Sequence, residues 1–355
     1  QVPAIVIATD GKQTAAKTSA PSVTSFDGFI AAVRDSGVVG LGGAGFPTAV
    51  KLTIGDPARC AYIIVNGAEC EPYATADART MLDEQDLVWS GVLLLKRYFP
   101  KARVIIAIED NKPACVEAFR KRCAPEADIE VAALRSRYPQ GGEKMIIHET
   151  TGRVVPENKL PIDVGVLVVN CATIAAVARY VETGVPLVER CVTVGGSAAA
   201  RPQNVIAPIG TPLSALFDFC GGFAAEPGKV LCGGPMMGVA AASLEEPLTK
   251  TTNCVLALNQ KEAQLPPETT CIRCGRCVDY CPMHLMPLDI ETAYQLRRAD
   301  LLERYKVALC IECGCCAYVC PSRRRLVQVM KLGKPLARAY RNEQKARQEK
   351  EAKEQ

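Results

Sequence analysis

The segments CIRCGRCVDYCP (residues 271–282) and CIECGCCAYVCP (residues 310–321) carry one spacing twice, C-x2-C-x2-C-x3-C-P. That is the bacterial ferredoxin pattern, the ligand arrangement of two [4Fe–4S] clusters. Three cysteines in a tight loop can each reach a different iron of one cubane. The fourth lies beyond the loop and, in two-cluster ferredoxins, ligates the other cluster. The expected sets are Cys271, Cys274, Cys277 and Cys320 on the first cluster, and Cys310, Cys313, Cys316 and Cys281 on the second. Structural zinc also uses thiolates at C-x2-C spacing. It calls for neither the third cysteine at x2 nor the proline after the fourth, so the doubled match favours clusters. Gly275 and Gly314 fit, because glycine lets backbone N–H groups approach the cluster sulfurs.

The chain has 355 residues, enough for two or three domains. With 48% hydrophobic and 23% charged residues it reads as globular, and a formal charge of +4 is too small to argue for nucleic acid. Eighteen cysteines would suggest disulfides in a small secreted chain. Here eight are cluster ligands and the rest are scattered, apart from Cys315 between two ligands. No leader is evident, so a reducing compartment and buried free thiols are expected. No apolar run reaches about 18 residues; the nearest, 164–181, carries Asn170, Thr173 and Arg179 and reads as a strand then a helix. The chain begins at Gln1, so a processed start or a missing N-terminal part is expected.

Residues 2–8 (VPAIVIA) look like a strand, followed by a linker to residue 24. A short amphipathic helix is expected over 25–34, with Phe26, Phe29, Ile30 and Val33 on one face and Gly37 as its stop. Next come Gly40, Leu41, Gly42, Gly43, Ala44, Gly45, Phe46 and Pro47, a glycine loop entering a helix that runs through Lys51. Such an entry favours a phosphate. It matches G-x-G-x-x-G literally, yet only Val38 and Val39 precede it where the dinucleotide fold needs a strand, so a plain glycine-rich turn stays open. The apolar run 61–65 ends in Asn66, Gly67, Ala68, Glu69, Cys70 and Glu71, a polar turn where open α/β sheets place ligands. A helix over 77–98, a strand over 104–108, a helix over 113–123 and a strand over 129–134 follow. Then come a loop at Tyr138–Lys144, a strand over 164–169 ending at Asn170, and a helix over 172–181. This alternation predicts a mainly parallel sheet. Residues 186–238 read as a small α+β module with strands near 191–194 and 230–231, and a last strand is expected at 255–258. A charged helix is expected over 290–305, and a polar, alternately charged helical tail after Arg323, Arg324 and Arg325.

These motifs together resemble the C subunits of Rnf complexes, membrane-bound ion-pumping ferredoxin–NAD oxidoreductases. The carriers are VPAIVI, GLGGAGFPTAVKL, VNGAECEPY, YPQGGEK, VLVVNCAT, GTPLSAL, CGGPMMG and the two cysteine motifs, up to about Leu326. The flavin loops are similar to those of the NADH-binding subunit of respiratory complex I. The resemblance implies a Rossmann-like α/β flavin and NADH domain over 25–185, a β-grasp (SLBB-like) module over 186–260 and an α-helical two-cluster ferredoxin domain over 261–330. Residues 1–24 would be the remnant of an N-terminal domain and its linker, and 331–355 a charged tail. It implies FMN phosphate at Gly40, Gly42, Gly43, Ala44, Gly45 and Lys51, with Phe46 near the nicotinamide. Asn66, Glu69 and Glu71 fall on the second loop, Tyr138, Gly141 and Glu143 on the third, and Asn170 and Thr173 on the fourth. Ala68 and Gly142 stand where complex I has acids, and Cys70 where it has a serine.

NAD(H) moves two electrons as hydride and a cluster takes one, so a flavin is implied between them. The resemblance implies no catalytic residue beyond the cofactors, and Glu69, Glu71 and Glu143 would position nucleotide groups. His148 and His284 read as structural. The expected role is a peripheral electron-transfer subunit on the cytoplasmic face of a bacterial membrane. Its partners would be other subunits of the complex and, through them, ferredoxin, with Arg323–Arg325 near the electron exit. Two other readings share this layout: a soluble flavin/iron–sulfur reductase such as a microcompartment corrin reductase, and a non-catalytic electron relay.

Overall fold

Four apolar runs pair into a parallel sheet in the computed structural model, which describes residues 5, 7, 11, 12, 14 and 16–354. They are β1 (Tyr62–Gly67), β2 (Arg103–Glu109), β3 (Ile129–Leu134) and β4 (Val166–Asn170), in the order β3-β2-β1-β4. Ile64 sits between Ile105 and Val168 in register. Successive strand residues point to opposite faces, and burial of both faces makes these strands unbroken apolar runs.

One face packs on α1 (Phe26–Asp35), α2 (Thr48–Leu52), α3 (Ala76–Asp83), α4 (Gln85–Tyr98), α5 (Pro113–Cys123) and α7 (Cys171–Thr183). Ile63, Val65, Ile106, Leu167 and Val169 enter that core beside Phe29, Met81 and Phe119. The opposite face, with Ile64, Ala107, Val166 and Val168, meets Ile146 and Ile147 of α6 (Glu143–Thr151). Fully buried side chains such as Phe29, Ile106 and Phe119 each contribute about 1.5–3 kcal/mol relative to exposure. Helix α1 begins where expected because the Ser25 side chain accepts from Gly28 N.

Several expected elements differ. The strand expected over 164–169 starts at Val166, since Pro161–Val164 forms a 3-10 turn. The helix expected over 77–98 is two, α3 and α4, broken at Glu84, whose carboxylate pairs with Arg179 of α7. Residues 2–8, expected as a strand, lie outside the described residues except Ile5 and Ile7, which belong to no element.

The second sheet contains β5 (Glu189–Gly195), β6 (Gln203–Pro208), β7 (Pro227–Cys232), β8 (Val239–Ala240) and β9 (Cys254–Asn259), ordered β6-β5-β9-β7-β8. Only β5 and β9 pair in parallel. Helix α8 (Leu213–Phe219) closes its core through Leu213, Leu216 and Phe217. The last strand is thus the middle of this module, and β6 and β8 were not foreseen. The cysteine-rich part holds α9 (Gln260–Ala263), α10 (Arg276–Asp279), α11 (Pro287–Gln295), α12 (Ala299–Arg304), α13 (Cys315–Tyr318) and α14 (Leu326–Glu354). Leu285, Ile290, Leu302, Val307 and Met330 form its core. The helix expected over 290–305 is therefore two, interrupted where Arg297 takes φ +54°. Among the described residues no helix is long and apolar enough to cross a membrane.

Candidate functional site

All four parallel strands end at one edge, and the glycine loop folds over it. The loop closes on itself, with Gly40 N donating to Phe46 O at 2.8 Å and Gly45 N to Gly40 O at 3.1 Å. Gly43 and Gly45 hold φ +107° and +66°, left-handed values that glycine takes without strain. Among the described residues nothing accepts from the amides of Gly42, Gly43 or Ala44, and all three residues are exposed. Successive unpaired N–H groups form a concavity suited to an anion. Among the described residues no strand delivers the loop and an isolated Val39–Pro47 bridge flanks it, so the dinucleotide fingerprint lacks its context. Tertiary contacts place it instead. Leu41 N donates to Thr173 Oγ1 at 2.9 Å, and a Cβ on Gly42 would lie 3.5 Å from the Asn170 side chain.

Helix α2 starts after Pro47 and carries Lys51 to the same edge. Its Nζ lies 2.6 Å from Glu143 Oε1 and 3.0 Å from Val168 O. Phe46 is half-exposed, a ring free to meet a ligand. Asn170 caps α7 through Thr173 N at 3.1 Å and donates from Nδ2 to Asp77 Oδ2 at 2.6 Å. Glu69 is buried and accepts from Asp77 N at 2.9 Å and Ala78 N at 3.2 Å, so it caps α3. Burial first, and then the Asp77 charge, push its carboxyl well above the ordinary range. Asn66 Nδ2 donates to Gly141 O at 2.9 Å, which ties the second loop to the third. A Cβ on Gly141 would lie 2.5 Å from Ala68 O.

Two expected residues bond outside the flavin loops, Glu71 to the second-sheet module and Tyr138 to the cysteine-rich part. Glu71 accepts from Met236 N at 3.1 Å and Met237 N at 2.8 Å, in the CGGPMMG turn. Tyr138 Oη donates to Cys313 O at 2.6 Å, inside the second cysteine motif. Sequence reasoning missed Arg190, buried in β5, which donates to Leu41 O at 3.1 Å and to Lys250 O. It also missed Asp77 and Lys112; the latter donates to Glu109 Oε2 at 3.1 Å and to Glu69 O at 3.2 Å. Their partners are far away in sequence, so no local pattern marks them.

The residues at this edge fit a flavin mononucleotide. Three buried polar side-chain atoms lack partners among the described residues: Thr48 Oγ1, Asp77 Oδ1 and Gln140 Nε2. Thr48 opens α2, Asp77 lies in the first turn of α3 and Gln140 is on the third loop, where a bound polar molecule or water would satisfy them. The cysteines fit polynuclear clusters. Cys281, from the first motif, lines the same apolar cavity as Cys310, Cys313 and Cys316. Burial raises the Cys277 thiol, and the neighbouring Cys320 raises it further, followed by Cys271 and Cys274. Gly275 and Gly314 hold φ +78° and +82° at the turns into α10 and α13, which is why both motifs place glycine there.

Comparison with known proteins agrees with this layout. Residues 33–179 match the Nuo51 FMN-binding domain, 191–240 the SLBB domain and 270–323 the 4Fe-4S dicluster domain. The chain is 41% identical to the C subunit of the proton-translocating ferredoxin:NAD(+) oxidoreductase complex of Clostridium ljungdahlii, covering 97% of this chain and 76% of that one. The chain belongs to the C-subunit family of ion-translocating ferredoxin:NAD+ oxidoreductase complexes. Within the family it is also 40% identical to the C subunit of the Na(+)-translocating complex of Acetobacterium woodii, covering 85% of this chain and 69% of that one. The C subunit of the Pseudomonas aeruginosa ion-translocating oxidoreductase complex is 42% identical over 80% of this chain but only 37% of its own length. A chain of an NAD+-reducing [NiFe]-hydrogenase shares the fold, with TM-score 0.60 and 21% identity over 88% of this chain and 65% of that one. The family member described here is thus a component of an oxidoreductase complex, with an FMN-binding domain, an SLBB module and an iron–sulfur domain.

Proposed function

We propose that this protein exchanges hydride between NAD(H) and FMN and passes single electrons through two [4Fe–4S] clusters, as the NAD-reactive part of an ion-translocating ferredoxin:NAD+ oxidoreductase. The observation that supports this best is the glycine loop. Its three unpaired amides, Gly42–Ala44, stand with Lys51, Asn66 and Asn170 at the carboxyl edge of the parallel sheet. FMN supplies the conversion between hydride and one-electron chemistry there, and the clusters carry the single electrons. In this reading the loop amides and Lys51 hold the phosphate, with Lys51 turning from Glu143. Asn66, Asn170 and Thr173 fix the polar chain and the loop itself, Gly141 leaves room at the third loop, and exposed Phe46 borders the nucleotide entrance. Glu69 supports the edge from behind by capping α3.

Cys310, Cys313, Cys316 and Cys281 would hold the cluster beside the flavin edge, because Tyr138 of the third loop bonds Cys313. Cys271, Cys274, Cys277 and Cys320 would hold the outer one, since Ile272, Arg273, Cys274 and Arg276 are all exposed. Electrons then leave through a docked protein of the complex, with ferredoxin reached through that partner and the chain attached peripherally at the cytoplasmic face of a bacterial membrane. All three relatives named above, each from an ion-translocating complex, favour this reading over a soluble reductase. The unpaired loop amides and Lys51 favour it over a relay with a degenerate flavin loop. The test is a high-salt or carbonate wash of membranes containing the complex. NADH-driven reduction of membrane acceptors should fall as the chain is released, and it should return when the chain is added back. A chain never found on membranes, yet fully active in solution, would overturn the assignment.

A further inference from the structure

Resting on the flavin and cluster reading above, we propose that Glu71 and Tyr138 are positioning residues that clamp the Cys310–Cys316 cluster loop to the flavin edge through the turn Cys232–Gly238. Both oxygens of the Glu71 carboxylate are engaged, Oε2 by Met236 N at 3.1 Å and Oε1 by Met237 N at 2.8 Å. These are charge-assisted bonds to two successive amides. The turn is shaped for this seat. A Cβ on Gly234 would lie 2.2 Å from Glu71 Oε2, and one on Gly238 would lie 2.4 Å from Gly234 O. Gly233 holds φ +100°.

The other side of the turn abuts the cluster loop, where a Cβ on Gly314 would lie 2.8 Å from Met236 O. Gly314 follows Cys313, whose carbonyl accepts from Tyr138 at 2.6 Å. Tyr138 is itself anchored, because its loop is held to the end of β1 by Asn66 on Gly141 O and by Gly141 N on Cys70 Sγ at 3.3 Å. Ile311 approaches the third loop too, its Cδ1 lying 3.7 Å from where a Cβ on Gly142 would be. Two loops of the flavin edge therefore grip one cysteine loop, Tyr138 directly and Glu71 through the turn. A carboxylate with each oxygen bonded to a backbone amide is fixed in place by the turn. Its effect is on the spacing between flavin and cluster, on which tunnelling depends steeply.

The test uses Gly234→Ala, which displaces Glu71 without altering its chemistry, and Glu71→Gln, which keeps one amide acceptor and loses the other. Anaerobic, cofactor-loaded chains are mixed with an iron chelator and, separately, with NADH in a stopped-flow spectrometer. Both variants should lose iron from the inner cluster faster and slow the cluster-reduction phase by about tenfold, the change that one lost charge-assisted bond supports. The NADH dissociation constant should be unchanged in Gly234→Ala. Wild-type iron release and cluster reduction in both variants would overturn the clamp, as would an effect of Glu71→Gln confined to NADH affinity. A wild-type chain that holds no clusters would instead sink the functional reading on which the clamp rests.

Discussion

Replacing each arginine of the run Arg323–Arg325 separately should give three different results, because the structure uses them differently. Arg324 Nε lies 2.7 Å from Glu291 Oε2, and the Glu291 side chain is only 5% exposed against 18% for Arg324. Arg324 also reaches Thr269 O at 3.4 Å, and so joins α11 to the segment before the first cysteine motif. Arg324→Ser leaves a buried carboxylate without its cation, a loss of about 3–5 kcal/mol for a fully buried pair. Water reaches the exposed fifth of Arg324, so about 2–3 kcal/mol is the working figure here. That corresponds to a drop of roughly 8–24 °C in the melting of a domain of about 70 residues. Arg325 pairs at 3.5 Å with partly exposed Glu268 and should cost about 0.5 kcal/mol. Arg323 makes no ion pair among the described residues, is exposed, and should be neutral to stability. The assay is anaerobic calorimetry with cluster absorbance followed in parallel, including Arg324→Met with Glu291→Met. The double variant should recover much of the loss, since the stranded charge is gone. Equal melting of Arg324→Ser and Arg323→Ser, or no recovery in the double variant, would refute the reasoning. Arg323 is therefore the residue whose replacement reports cleanly on partner docking, as a weaker and less salt-sensitive attachment to the membrane complex.

Other outcomes follow from the same contacts. Lys51→Ala should weaken FMN binding by about 10–100-fold while iron content holds, checked by fluorescence titration of flavin-free protein; unchanged affinity would remove Lys51 from the phosphate site. Glu69 is held above its ordinary pKa by burial and by Asp77, so the folded state keeps a proton that the unfolded chain gives up. Its contribution is whole below about pH 4, the unfolded-state range, and is lost as pH rises through the raised folded-state value; Glu69→Gln should flatten the fall in denaturation midpoint across that window. A Cβ on Gly91 of α4 would lie 2.5 Å from Ile174 O of α7, so Gly91→Ala should destabilise by about 1–2 kcal/mol net of its helix-propensity gain, read from urea unfolding.

The parallel sheet was legible because burial on both faces writes strands as continuous apolar runs, as in β1 and β4. The glycine loop was legible as chemistry but not as placement, since no strand leads into it and the contact that seats it, Leu41 to Thr173, spans 132 residues. The strand at Gln203–Pro208 was missed because an exposed position within it is the apolar Ile206, so the short run shows no apolar/polar alternation, and it ends at proline. The breaks at Glu84 and near Arg297 were missed because helical periodicity runs through them; pairing with Arg179 accompanies the first, and a left-handed Arg297 marks the second. Glu71 and Tyr138 were expected at the flavin loops, while their observed partners lie 165 and 175 residues away. Sequence spacing marks which residues stand together on a loop, and it is silent on which distant amide or carbonyl receives them.

The most direct measurement is metal and flavin analysis of the anaerobically purified chain, with absorption and EPR spectra before and after NADH. The account predicts one FMN and about eight irons per chain, as two cubanes. On adding NADH the flavin absorbance should bleach, followed by signals of reduced [4Fe–4S] clusters. Zinc in place of iron, or NADH oxidation by an artificial acceptor with no flavin bound, would contradict it.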